Sequence, residues 1–176
     1  MNFKFYYEKL EDSGGYKNFM KKNPKAYPCS CLFILDREKD GKENKVHFDF
    51  WLPDEKKMVS FRVDGKVEHM GVDNFDTRLF EEISVDYGFE IEEFEKLILK
   101  EMEKEKVKGK LNKLLFSLQK LKGKEFFIVT GFLNNFGLIK VTISLAENKI
   151  ISFEKKSLLD MMKIIKGNRA KDEKKD

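Results

Sequence analysis

Residues 111 to 153 read LNKLLFSLQKLKGKEFFIVTGFLNNFGLIKVTISLAENKIISF, and how they are parsed decides the fold. Leu111, Leu114, Leu115, Leu118 and Leu121, with Val107 before them, recur at helical spacing, so this first stretch is predicted to be a helix. Phe126 to Leu133 is apolar on both faces, which predicts a strand that is either covered on both sides or lies at an interface. Asn134-Asn135 is a turn, Leu138 to Leu145 a second strand, Ala146 to Asn148 another turn, and Lys149 to Phe153 a third strand. The unit is thus a helix feeding an antiparallel meander.

Residues 13 to 70 have the same organisation. After the breaker Gly14-Gly15, residues Tyr16, Phe19 and Met20 keep a helical pattern until Asn23-Pro24. Strands are predicted at Cys29 to Leu35, Val46 to Leu52 and Lys57 to Val63, with the charged run Arg37 to Lys45 as a loop. Asp64-Gly65 signals a type I′ hairpin leading into Lys66 to Met70. Upstream, Phe3, Tyr6, Tyr7 and Leu10 share one face of a short helix.

Between the two units, Ile91, Phe94, Ile98 and Met102 mark a helix whose stripe lies about half a turn from the leucine stripe that follows. The chain is therefore predicted to break near Gly109. Residues 75–88 read as a linker, with a short helix near Leu79 to Ile83 or a short strand at Ile83 to Val85. Ser157 and Asp160 resemble a cap for a closing helix carrying Leu158, Met161, Met162 and Ile165, and 167–176 is a charged tail expected to be disordered. The fold class is α+β: two antiparallel meanders of about four and three strands, each preceded by a helix, with a C-terminal helix. The lobes span 1–74 and 89–166, and they either pair edge strands or join as a homodimer to protect them.

Composition excludes more than it selects. Of 176 residues 38% are charged, well above the usual quarter, yet 35 basic and 31 acidic residues leave a net charge of only +4. All but four basic residues are Lys, so the planar forks that dominate specific phosphate and guanine recognition are scarce. Such Lys and Glu enrichment is also a hyperthermophile signature. No stretch approaches a membrane span and the amino terminus lacks a signal-peptide core, which points to the cytoplasm. Cys29 and Cys31, at i, i+2 on a strand, are expected to face one side as reduced, buried thiols.

No cofactor, metal framework or catalytic motif is visible. Counting outward from the turns pairs Trp51 with Met58, Asp49 with Ser60, His47 with Arg62 and Ser60 with His69. Asp49, Ser60 and His69 then form a polar row containing the members of a hydrolytic triad, but with Ser in the centre and no strained elbow or oxyanion donors, so a hydrolase is the weakest reading. As metal ligands, His47, Asp49 and His69 fare little better, since the two histidines fall about 9–10 Å apart across two strand spacings. Trp51 beside Met58 is a large apolar pair on an otherwise polar face. It is either covered by another element or, with Arg62, His47, Asp49 and His69, forms a recognition patch for a protein or a small apolar ligand.

An alternative partner is nucleic acid. Residues 76–105 carry a net charge of −7 and 106–124 a net charge of +7. On a helix, Lys106, Lys110, Lys113 and Lys120 would lie opposite the leucine stripe, where phosphates need only positive charge. Acid near a helix start and base near its end also complement the macrodipole without any ligand.

The order of a Leu-rich helix and FFIVTGFLNNFGLIKVTISLAENKIISF resembles PepSY and cystatin-like modules, in which a helix packs on an antiparallel meander. Residues 111 to 153 carry the resemblance best and 13 to 70 form a looser copy, while the whole chain is similar to small archaeal proteins rich in Lys, Glu, Ile and Phe. No catalytic residue carries over. The resemblance implies a noncatalytic binding or regulatory module.

Overall fold

Leu111 to Leu121 is a strand. In the computed structural model, which describes residues 1–72 and 80–157, Leu114, Phe116 and Leu118 point inward and are fully buried, while Leu115, Ser117 and Gln119 point the other way. The leucine spacing fits a helix, but Leu114, Phe116 and Leu118 also keep a period of two, and tertiary pairing on both sides decides between them. The missed signal is Lys122-Gly123. Both residues have positive φ (51° and 75°), which makes the two-residue type I′ turn joining this strand to the next.

The elements run α1 (Phe3–Asp12), α2 (Gly14–Lys22), β1 (Tyr27–Asp36), β2 (Lys45–Leu52), β3 (Lys57–Arg62), β4 (Glu68–Val72), α3 (Ile91–Lys104), β5 (Leu111–Leu121), β6 (Lys124–Leu133), β7 (Gly137–Ser144) and β8 (Lys149–Ser157). All eight strands form one antiparallel sheet in the order β4-β3-β2-β1-β5-β6-β7-β8. This corrects the expectation of two separate meanders of four and three strands. Each half is a four-stranded meander entered from a helix, and β1 pairs with β5 to fuse them. Fusion at the centre removes two of the four exposed edges that separate meanders would carry.

One face of the sheet carries the helices. Phe3 of α1 meets Phe33 and Phe48 at ring-centroid distances of 6.3 and 5.4 Å, and Phe19 of α2 meets Phe50 and Phe61 at 5.9 and 5.1 Å. On the other half Phe94 of α3 packs edge-on to Phe127 at 4.9 Å. Phe89 touches Phe3, Phe94 and Phe127, so the helical layer is continuous across both halves. Each such side chain, fully buried, contributes about 1.5–3 kcal/mol of transfer free energy. Ser13 ends one helix and starts the next: its hydroxyl donates to the Leu10 carbonyl and accepts from the Tyr16 N–H.

The chain breaks after α3, where Lys106 and Gly109 take positive φ (50° and 104°), close to the predicted break. Residues 80–89 form neither helix nor strand. They cross the end of the sheet, held by the Ile83 N–H on the Pro28 carbonyl and by the Tyr27 hydroxyl on the Phe80 carbonyl. The expected helix carrying Leu158, Met161, Met162 and Ile165, and the tail 167–176, lie outside the described residues.

Candidate functional site

Register sorts the candidate residues onto faces. β2 and β3 pair as counted: Trp51 with Met58, Asp49 with Ser60, His47 with Arg62. β3 and β4 do not. Ser60 pairs with Met70, and His69 pairs with Phe61. The connection at 63–67 is longer than the two-residue turn expected at Asp64-Gly65, and a one-residue slip flips every side chain of the strand. His69 therefore sits on the helix face, its ring 5.5 Å from Phe61 and 6.2 Å from Phe19. The row Asp49–Ser60–His69 does not exist, and His47 and His69 lie on opposite faces and share no metal site. Among the described residues, no group of three or more His, Cys, Asp and Glu is placed to hold a metal ion.

Trp51 is 4% exposed, its indole 5.3 Å from the Phe80 ring. The tryptophan is thus covered by its own chain and offers no surface to a partner. What Phe80 and its neighbours build instead is a concavity of about 290 Å³ on the open face of the sheet, the face opposite the helices. β1, β2 and β3 give it Ser30, Asp49 and Met58, and β5 gives it Ser117, Gln119 and Leu121. Phe80 and Glu81 wall one side and Lys120 stands at the rim. The two halves of the molecule both contribute, because β1 and β5 are neighbours.

A β-bulge shapes its floor. The β1–β2 register shifts between Pro28 and Ser30, leaving Cys29 unpaired. Cys29 consequently turns to the pocket with Ser30, its thiol donating to the Asp49 carbonyl at 3.4 Å, whereas Cys31 is in the core. The two thiols do not face one side as strand alternation had predicted. Both are free and buried, and desolvation pushes both up from the usual thiol range, which makes them poor nucleophiles.

Asp49 is the ionisable group at the base of the pocket. It stands between two serines in the register, Ser30 on β1 and Ser60 on β3. Burial raises its carboxyl above the ordinary carboxylate range, against the pull of the Ser60 and Ser30 hydroxyls. His47, two residues along β2, is half-buried, and desolvation lowers it, outweighing the attraction of Asp49. Neither serine has an imidazole opposite it in the register, so the Ser-His-Asp order of a hydrolytic triad is not formed here.

The four lysines do not share a helix face, because the segment that holds them is not a helix. Lys106 lies in the turn after α3 and Lys110 in the loop before β5, while Lys113 on β5 faces Asp36 at 3.8 Å and Lys120 is at the pocket rim. The continuous basic stripe assumed for phosphate contact is absent from this geometry. Another concavity, about 370 Å³, lies between α3 and the loop before β5, but its Arg37 and Glu95 already form an ion pair with each other.

Sequence reasoning found Asp49 and Met58 but missed Ser30, Phe80, Gln119 and Leu121. The last two were assigned to a helix, and Phe80 belongs to a segment without periodicity. No helix among the described residues is long and apolar enough to cross a membrane. No family model matches the chain, and no curated protein matches it. Among solved structures the fold is similar to that of a "putative lipoprotein" from Clostridium difficile 630, with a TM-score of 0.51 over 81% of this chain and 90% of that one. At 12% identity the likeness is one of fold alone.

Proposed function

We propose that this protein is a noncatalytic binding module that holds a small, largely apolar ligand in the open-face pocket beside Trp51. The observation that carries the reading is the pocket itself. It joins apolar walls from Met58, Phe80 and Leu121 to a few convergent polar groups, Asp49, Ser30 and Gln119, near the lower end of the size range of small-molecule sites. Around it the same face exposes Met70 (40%), Leu121 (50%) and Ile128 (36%), which would let a ligand be held against a wider apolar surface. Two free thiols favour a reducing compartment, the cytoplasm.

The test is a fragment screen read by backbone amide NMR. Binders should shift Ser30, Asp49, Ser117 and Gln119, and Leu121→Trp, which narrows the mouth, should weaken them. Binders that instead shift residues of the α3 cleft, or a screen with no pocket shifts at all, would refute the assignment.

A further inference from the structure

The charges of the pocket narrow the chemistry of what it holds. Among the described residues, three charged side chains line it: Asp49, Glu81 and Lys120. Glu81 is committed to the chain itself, its two carboxylate oxygens accepting the N–H groups of Lys122 and Gly123 at 2.5 and 2.8 Å, which anchors the β5–β6 turn. Gln119 donates its amide N–H to the Ser117 hydroxyl at 2.9 Å, leaving its carbonyl oxygen as an acceptor. Beside the Ser30 and Ser117 hydroxyls, which can donate or accept, the groups remaining at the base among the described residues are two acceptors, the Asp49 carboxyl and the Gln119 carbonyl. Lys120, on a long stem at the mouth, sits where a ligand's far end would emerge.

We infer that the pocket selects a small cationic ligand, a protonated amine on an apolar body, with the ammonium against Asp49 and the body between Met58, Phe80 and Leu121. The inference rests on the pocket being the binding site. An ammonium answers the acceptors with donors and the carboxylate with opposite charge, and supplies a counter-ion that no described residue gives the half-buried Asp49 carboxylate. An anionic ligand of the same shape would place like charges together in a partly desolvated site. The other charged or titratable groups around Asp49 are His47 on its own strand, Arg62 opposite His47 on β3, Cys29 and Cys31 on β1, Lys120 on β5 and Glu81 on the crossing segment. Because only ionised Asp49 attracts the ammonium, affinity falls as pH falls through its titration.

Three probes of matched shape decide the matter: 2-phenylethylamine, 3-phenylpropionate and 2-phenylethanol, titrated against the full chain by amide NMR. The amine is expected to shift Ser30, Asp49 and Ser60 and to bind at least about tenfold tighter than the carboxylate, a preference of roughly one decade in Kd. Asp49→Asn should erase that preference, bringing the amine's Kd close to the carboxylate's. Equal binding of all three, insensitive to Asp49→Asn, would overturn the cation assignment and leave the pocket reading intact. No shift with any probe, in the parent or in Asp49→Asn, would remove the pocket reading and this inference together.

Discussion

Phe33 of β1 stands directly opposite Phe116 of β5, both fully buried, and this pair lies at the seam where the two halves become one sheet. Truncating Phe116 to Ala should cost about 3–5 kcal/mol, because the cavity would open beneath both halves at once. Chemical denaturation would measure the loss. A single cooperative transition is expected in the parent, and a cost under about 1 kcal/mol would contradict the seam.

Trp51 is the chain's only tryptophan, so its fluorescence reports one site. Buried against Phe80, it should emit blue-shifted light and resist acrylamide quenching, and Trp51→Ala should destabilise by about 3–5 kcal/mol. An emission typical of water-exposed indole would mean the cover is absent.

Asp49 makes a prediction with a definite sign. Its folded carboxyl titrates above its unfolded value, so the native state binds more protons and stability falls as pH rises from about 4 through the raised titration. Asp49→Asn should therefore raise the thermal midpoint at pH 7 and change it little in strong acid. A lowered midpoint at pH 7 would show that the carboxylate serves the fold instead.

His47 acts in the opposite direction. Its folded imidazole titrates below the ordinary 6.5, so its contribution is present above that pH and is lost as pH falls through the depressed value. His47→Gln should flatten the midpoint's decline on the acid side of 6.5. Differential scanning fluorimetry across pH 4–8 separates the His47 and Asp49 effects, since one strengthens and the other weakens with rising pH.

Gly131 in β6 is set by close approach. A Cβ there would meet the Ile139 side chain at 2.6 Å and that of Leu111 at 3.0 Å. Gly131→Val should cost about 1–3 kcal/mol by overpacking, measured by urea denaturation. Gly71, with open space around its Cα, is the control at which Ala should be tolerated.

Periodicity located α1, α2 and α3; of the seven strands located, Val46 to Leu52 was legible by alternation, Cys29 to Leu35 and Phe126 to Leu133 as apolar runs, and the others mainly through the turns that bound them. β5 was illegible for a physical reason: leucine is a strong helix former, and Leu114 and Leu118 satisfy both periods while Leu115 fits only the helical one. Its neighbours choose the strand: β6 follows across the local Lys122-Gly123 turn, while nothing local encodes β1, a partner so distant in sequence. Turn chemistry misled in one place and was overlooked in another. Asp64-Gly65 looked like the strongest hairpin and is not a two-residue turn, while Lys122-Gly123, with a lysine in positive φ, is one. The slip at Asp64-Gly65 alone moved His69 to the wrong face. At the candidate site, Asp49 and Met58 were legible from the β2–β3 count, whereas Phe80 comes from a crossing segment with no pattern to read.

The pairing of β1 with β5 also orders events in time. Every other strand pair joins sequence neighbours and closes a short loop, but Phe33 must find Phe116 across the whole first meander and α3, so closing that loop carries the largest entropic cost in the sheet. Ser30 and Asp49 lie on one side of that seam and Ser117, Gln119 and Leu121 on the other. Neither half alone contains the pocket, so the cavity comes into being only with the slowest contact, and any ligand that occupies it holds the finished topology closed.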